Sequence, residues 1–157
     1  MEVNTQHYLF DLGDTLMVDL PNQTGPMCDW PEVQVVDGAL DCLKRLSLNA
    51  ECHLATNAAE SSEAQIWLAL KRAGLCDYIG HVFCRENLGV GKTYINYYPQ
   101  IVNKLAVSSE QVTMVGDSLE RDVLPALKSG LKGIWFNPKK IFTDLNIDSV
   151  DQLITVR

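Results

Sequence analysis

Five short apolar runs punctuate this chain, and the polar residues that could do chemistry stand just beyond them. "HYLF" (7–10) runs into Asp11, "ECHLAT" (51–56) ends in Thr56 and meets Asn57, and "HVFC" (81–84) precedes a loop that carries Lys92. "QVTMV" (111–115) is followed by Gly116 and Asp117, and "KGIWF" (132–136) closes the series. Segments of helical period separate the runs. Leu40, Leu43, Leu46 and Leu48 follow Gly38 at near-helical spacing. In "SSEAQIWLALKRAG", Ser62 and Gln65 form a capping-box pattern, Ile66, Ala69, Leu70 and Ala73 share one face, and Gly74 supplies a stop. Residues 97–105 predict a helix that tolerates Pro99 only in its first turn, and 121–130 another whose start Pro125 shifts or kinks. Strands alternating with helices imply a parallel sheet covered on both faces, with ligands gathering at the carboxyl ends of the strands.

With 157 residues the chain matches one domain of common size, read as spanning 1–157. Hydrophobic residues at 46% and charged residues at 21% describe an ordinary globular protein. Twenty acidic against 13 basic residues give a net charge of −7, which argues against nucleic-acid binding because phosphate contacts need a basic face. Residues 1–18 lack a cationic start and their apolar run is broken by Asp11 and Asp14, so they read as neither signal peptide nor anchor. No run approaches the roughly 18 apolar residues of a membrane helix. The five cysteines contain no CxxC pair and read as reduced thiols of a cytoplasmic protein. Only residues 18–36, containing "DLPNQTGPMCDWPE", lack a period over a long stretch. They read as an ordered loop in which Trp30 serves a partial lid or pins the loop to the core.

The strand ends thus bring together Asp11, Thr56, Asn57, Lys92 and Asp117, with Asp122 at the next helix start. Carboxylates, a hydroxyl, an amide and an ammonium in one crevice suit a hard cation and a phosphoryl group together.

In order, "FDLGDTL", "LATN", "GVGKT" and "VGDSLERDV" resemble the four motifs of the haloacid dehalogenase-like hydrolases, mostly Mg²⁺-dependent phosphatases that work through a phosphoaspartate. The resemblance covers about residues 8–136 and implies a Rossmann-like three-layer sandwich. It makes Asp11 the nucleophile, Thr56 and Asn57 the hydrogen-bonding partners of the phosphoryl group, and Lys92 the cation that neutralises both. It assigns Mg²⁺ to Asp11, the Gly13 carbonyl and Asp117, with Asp122 binding it through water or fixing Lys92. Asp14 and Ser118 stand beside these without an assigned role.

The first motif departs from the family pattern of Asp, any residue, Asp, Gly, Thr, because Gly13 and Asp14 are exchanged. The family's second Asp protonates the leaving oxygen and later activates water, which Gly13 cannot do; whether Asp14, one place on and expected to point elsewhere, takes over that role is open. Three readings are open: a slowed phosphatase, a dehalogenase-like or phosphonatase-like hydrolase, and a binding or regulatory protein that keeps the pocket. The interval before Gly38 is too short for a cap domain. The resemblance therefore implies an open crevice for a phosphorylated substrate, small or macromolecular, with an oligomer possible.

Other signals are set aside. "GVGKT" lacks the first glycine of a P-loop, since position 86 is Glu. His7, His53 and His81 have no metal-ligand spacing and read as packed or exposed side chains. Tyr94, Tyr97 and Tyr98 read as packing, and Lys139 with Lys140 is too small a basic group to mark nucleic acid.

Overall fold

A computed structural model describes residues 4–157. The leading segment read above as neither signal nor anchor begins with residues 1–3, which lie outside the described part. Six parallel strands form one sheet: β1 (Gln6–Phe10), β2 (Ala50–Ala55), β3 (Val82–Phe83), β4 (Val112–Gly116), β5 (Lys132–Phe136) and β6 (Ser149–Val150), in the order β3-β2-β1-β4-β5-β6. The order reverses on either side of β1, which places Asp11 at the switch point where such sheets open a crevice.

Successive strand residues point to opposite faces, so Leu9 and Phe10 enter different cores. Phe10, Leu54 and Val115 pack with α1 (Ala39–Leu46) and α2 (Glu63–Arg72). Leu9, Ala55 and Met114 pack with α4 (Tyr97–Leu105) and α5 (Leu124–Lys128) on the other side, and the short α3 (Arg85–Leu88) joins them through Leu88. The result is the three-layer α/β sandwich expected. Among the described residues no cap is inserted between β1 and α1.

Local chemistry explains most boundaries. Ser62 and Gln65 form the capping box at α2, and Gly74 takes φ +75° just after it. α1 ends at Leu46, so Leu48 lies beyond it and is exposed. The third strand is shorter than "HVFC", because Cys84 already caps α3. The helix read over 121–130 begins instead as a π-turn, Leu119–Val123, and becomes α-helical only at Leu124. Pro125 has no N–H to give the preceding turn, which leaves the wider geometry in place.

The 18–36 loop carries one short turn, Met27–Asp29, and is pinned in two ways. Trp30 is buried and its Nε1 donates to the Gly25 carbonyl at 3.1 Å. The Arg72 guanidinium on α2 donates to the carbonyls of Met27, Cys28 and Trp30 at 3.3, 3.1 and 2.6 Å. At the far end of the sheet, His7, His53 and His81 lie side by side, with ring centroids 5.3 and 5.1 Å apart. Burial pushes His53 down to about 3 and also lowers His7. No described helix is long and apolar enough to cross a membrane.

Candidate active site

Lys92 organises the crevice. It is 1% exposed, and its Nζ lies 2.6 Å from Asp11 Oδ1 and 2.8 Å from Asp122 Oδ1. Burial alone would lower its pKa, but Asp11 and Asp122 hold it well above the ordinary lysine range. The ammonium is therefore permanent at neutral pH. Its loop is fixed by Asn57, whose Oδ1 accepts from the Lys92 N–H at 3.1 Å and from Arg85 Nε at 3.2 Å. Gly91 makes that approach possible, since a Cβ there would stand 2.6 Å from Asn57 Oδ1.

Asp11 leaves the end of β1 with its N–H donating to the Val115 carbonyl at 3.0 Å. Its second oxygen meets Thr15, whose hydroxyl lies 3.4 Å from Asp11 Oδ2 and 3.2 Å from Asp117 Oδ1. That hydroxyl also accepts from the Asp117 N–H at 3.1 Å. Trp135 Nε1 donates to the Asp117 carbonyl at 2.9 Å and fixes the loop from β5. Burial, reinforced by the neighbouring Asp11, pushes Asp117 up to about 7. Burial also raises Asp122, although Lys92 opposes it. Asp122 is held on its other side by the Ser118 N–H at 3.1 Å, against Gly116, where any Cβ would collide with it.

One ammonium among three carboxylates leaves uncompensated negative charge. Asp11, Asp117 and Asp122 each offer an oxygen, all within 4.8 Å of one another. An all-oxygen set of this kind suits a hard divalent cation.

Thr56 is buried, and its hydroxyl accepts from the Ala58 N–H at 3.2 Å, leaving its own proton free to donate. These groups line a cavity of about 450 Å³ together with Gly13, Asp14, Met27, Trp30 and Arg121. Asp14 differs from the rest: it is exposed, sits at φ +59°, and its Oδ1 accepts from the Asp19 N–H at 2.9 Å. Ser118 accepts from the Arg121 N–H at 3.2 Å and so caps the π-turn. The residue passed over in the sequence is Thr15, fully buried between two of the carboxylates. Its signal was present as the threonine that closes the first motif.

Residues 11–130 match the family model of the haloacid dehalogenase-like hydrolases. The chain belongs to that family. It is similar to the pyrimidine 5'-nucleotidase PynA of Streptococcus pneumoniae, 32% identical over 67% of this chain and 44% of PynA. It is also similar to the putative HAD-hydrolase YfnB of Bacillus subtilis, 26% identical over 67% of this chain and 44% of that one. The chain thus spans less than half the length of these curated relatives. Among solved structures, an uncharacterised protein from Listeria monocytogenes serotype 4b superposes with a TM-score of 0.83 at 24% identity, covering 96% of this chain and 94% of that one. The magnesium-bound YfnB structure superposes with a TM-score of 0.77 at 16% identity, covering 97% and 99%. At such identities the likeness is one of fold.

Proposed function

We propose that this haloacid dehalogenase-like hydrolase is a Mg²⁺-dependent phosphomonoesterase in which Asp11 attacks phosphorus and carries the phosphoryl group as an aspartyl phosphate. The observation that carries the reading is the Lys92 ammonium held between Asp11 and Asp122. One oxygen of the nucleophile is tied to Lys92, whose ammonium would also screen the charge of the incoming phosphoryl group. The phosphoryl oxygens would be met by the Thr56 hydroxyl and the Asn57 amide nitrogen, whose oxygen is already committed to Lys92 and Arg85. The residues that would hold Mg²⁺ are Asp11, Asp117 and the Gly13 carbonyl. When bound, the ion would screen the charge between an anionic carboxylate and an anionic phosphate.

Asp122 serves the reading best as the group that positions Lys92, since both its oxygens already have donors. Gly13 offers no side chain to protonate the leaving oxygen or activate water, and Asp14 is engaged by Asp19 in its turn. Both support slow release of the phosphoryl group. The loop pinned by Arg72 would be a fixed partial lid over an otherwise open crevice. The free thiols support a reducing, cytoplasmic setting.

The test is hydrolysis of a generic aryl phosphate, with and without Mg²⁺, by the wild type and Asp11→Asn. Turnover that needs both the metal and Asp11 is expected. If neither turnover nor Mg²⁺-dependent binding of beryllofluoride occurs, the protein is a binding module that keeps the pocket.

A further inference from the structure

The three histidines, separated in sequence by tens of residues, are brought together by strand register. His7 and Glu51 are partners across the β1–β2 pair, and Leu9 is partnered with His53. Residues two apart on a strand share a face, so His7, Glu51 and His53 all project to the same side. His7 Nδ1 lies 3.0 Å from His53 Nε2 and 3.4 Å from a Glu51 carboxylate oxygen. One potential ligand atom from each of the three falls within 4.8 Å of the others.

We infer that His7, Glu51 and His53 form a second metal site, at the amino-terminal end of the sheet, that takes a borderline transition-metal ion such as Zn²⁺. Two imidazole nitrogens and one carboxylate oxygen are a zinc-type donor set, whereas the Asp11 crevice offers oxygen alone. Three protein ligands leave a fourth position for solvent. The facing nitrogens now have room for one shared proton, which the metal replaces. Two nitrogens on tetrahedral zinc stand about 3.3 Å apart with the ion off the line between them, so the pair opens by a few tenths of an ångström and each ring turns by roughly 35° to aim its lone pair at the ion. His7 and His53 are 5% and 1% exposed, and the His53 ring packs against Gly80, where a Cβ would stand 3.1 Å from it. Glu51, with its side chain 62% exposed, leaves a path for the ion from solvent. Four residues of extended chain separate His7 from Asp11, roughly 13 Å, so the two sites do not share ligands.

The experiment is a Zn²⁺ titration by calorimetry with saturating Mg²⁺ present, repeated with Co²⁺ to read coordination from its visible spectrum. Wild type should bind one Zn²⁺, and Co²⁺ should give tetrahedral or five-coordinate absorption without thiolate charge transfer. Glu51→Gln, a surface change that leaves the fold intact by circular dichroism, should weaken binding about tenfold or more, and His7→Gln should do the same. His53→Gln should abolish binding if it folds. No stoichiometric Zn²⁺ uptake, uptake indifferent to both Glu51→Gln and His7→Gln, or a cobalt–thiolate spectrum pointing to the cysteines would each overturn the site.

Discussion

The Tyr98 hydroxyl donates to the Arg121 carbonyl at 3.0 Å. In an unbroken helix that carbonyl would receive the N–H of residue 125, and Pro125 has none, so a tyrosine from α4 satisfies what the proline leaves open. Tyr98→Phe should therefore lower unfolding stability by about 1–2 kcal/mol in urea titration, with the slope against denaturant unchanged. A loss under about 0.3 kcal/mol would mean that the carbonyl finds another donor.

Exchanging the two unusual letters of the first motif, by Gly13→Asp with Asp14→Gly, should raise turnover of an aryl phosphate by ~10²–10⁴. Space exists: a Cβ at Gly13 meets nothing nearer than Met27 Cε at 3.9 Å. The second change puts glycine where φ is +59° and relieves a conformation that costs an L-residue about 1–2 kcal/mol. A folded double variant with unchanged kcat would show that acid–base chemistry does not limit the rate.

Mg²⁺ affinity should depend on pH through Asp117. Burial and the adjoining Asp11 raise this carboxyl to about 7, so below that pH a cation must displace a proton. The apparent Kd should fall by about tenfold for each unit of rising pH up to 7 and then level off. Calorimetry between pH 5.5 and 8.5 reads this directly, and a flat profile would mean that Asp117 does not ligate the ion.

Thiol reactivity should divide by burial. Burial raises Cys42 to about 11 and Cys52 to about 12, and raises Cys84 and, with Asp29 beside it, Cys28 as well, but only Cys28 and Cys76 are half-buried and open to reagent. Native protein treated briefly with iodoacetamide at pH 8 should carry label at Cys28 and Cys76 only, and at all five cysteines in denaturant. Mass spectrometry that finds Cys52 labelled in the native state would show local opening of β2.

Periodicity made the alternation of strands and helices legible, and the strand-end rule made Asp11, Thr56, Lys92 and Asp117 legible before their geometry was known. What escaped the sequence shares a cause. β6, two residues long, is defined by the neighbour it pairs with, Trp135↔Ser149 and Phe136↔Val150, and has no period of its own. α3 is a single turn whose cap is a cysteine. Thr15 reads as an ordinary hydroxyl until β4 brings Asp117 against it. His7 and His53 lack ligand spacing because the spacing is set across strands and not along one. Asp14 could be placed from its own residue type, since Asp accepts positive φ and bonds its local backbone.

The central position of β1 also fixes when the pocket can come into being. Tyr8 is paired with Cys52 on one side but with Thr113 on the other, and Asp11 needs Lys92 and Thr15 needs Asp117. During synthesis, β1 must wait beside an open edge until β4 leaves the ribosome. A chain stalled before residue 112 would present that open edge to its neighbours, so the central seam of the sheet and the crevice close in one event, onto which β5 and β6 then add.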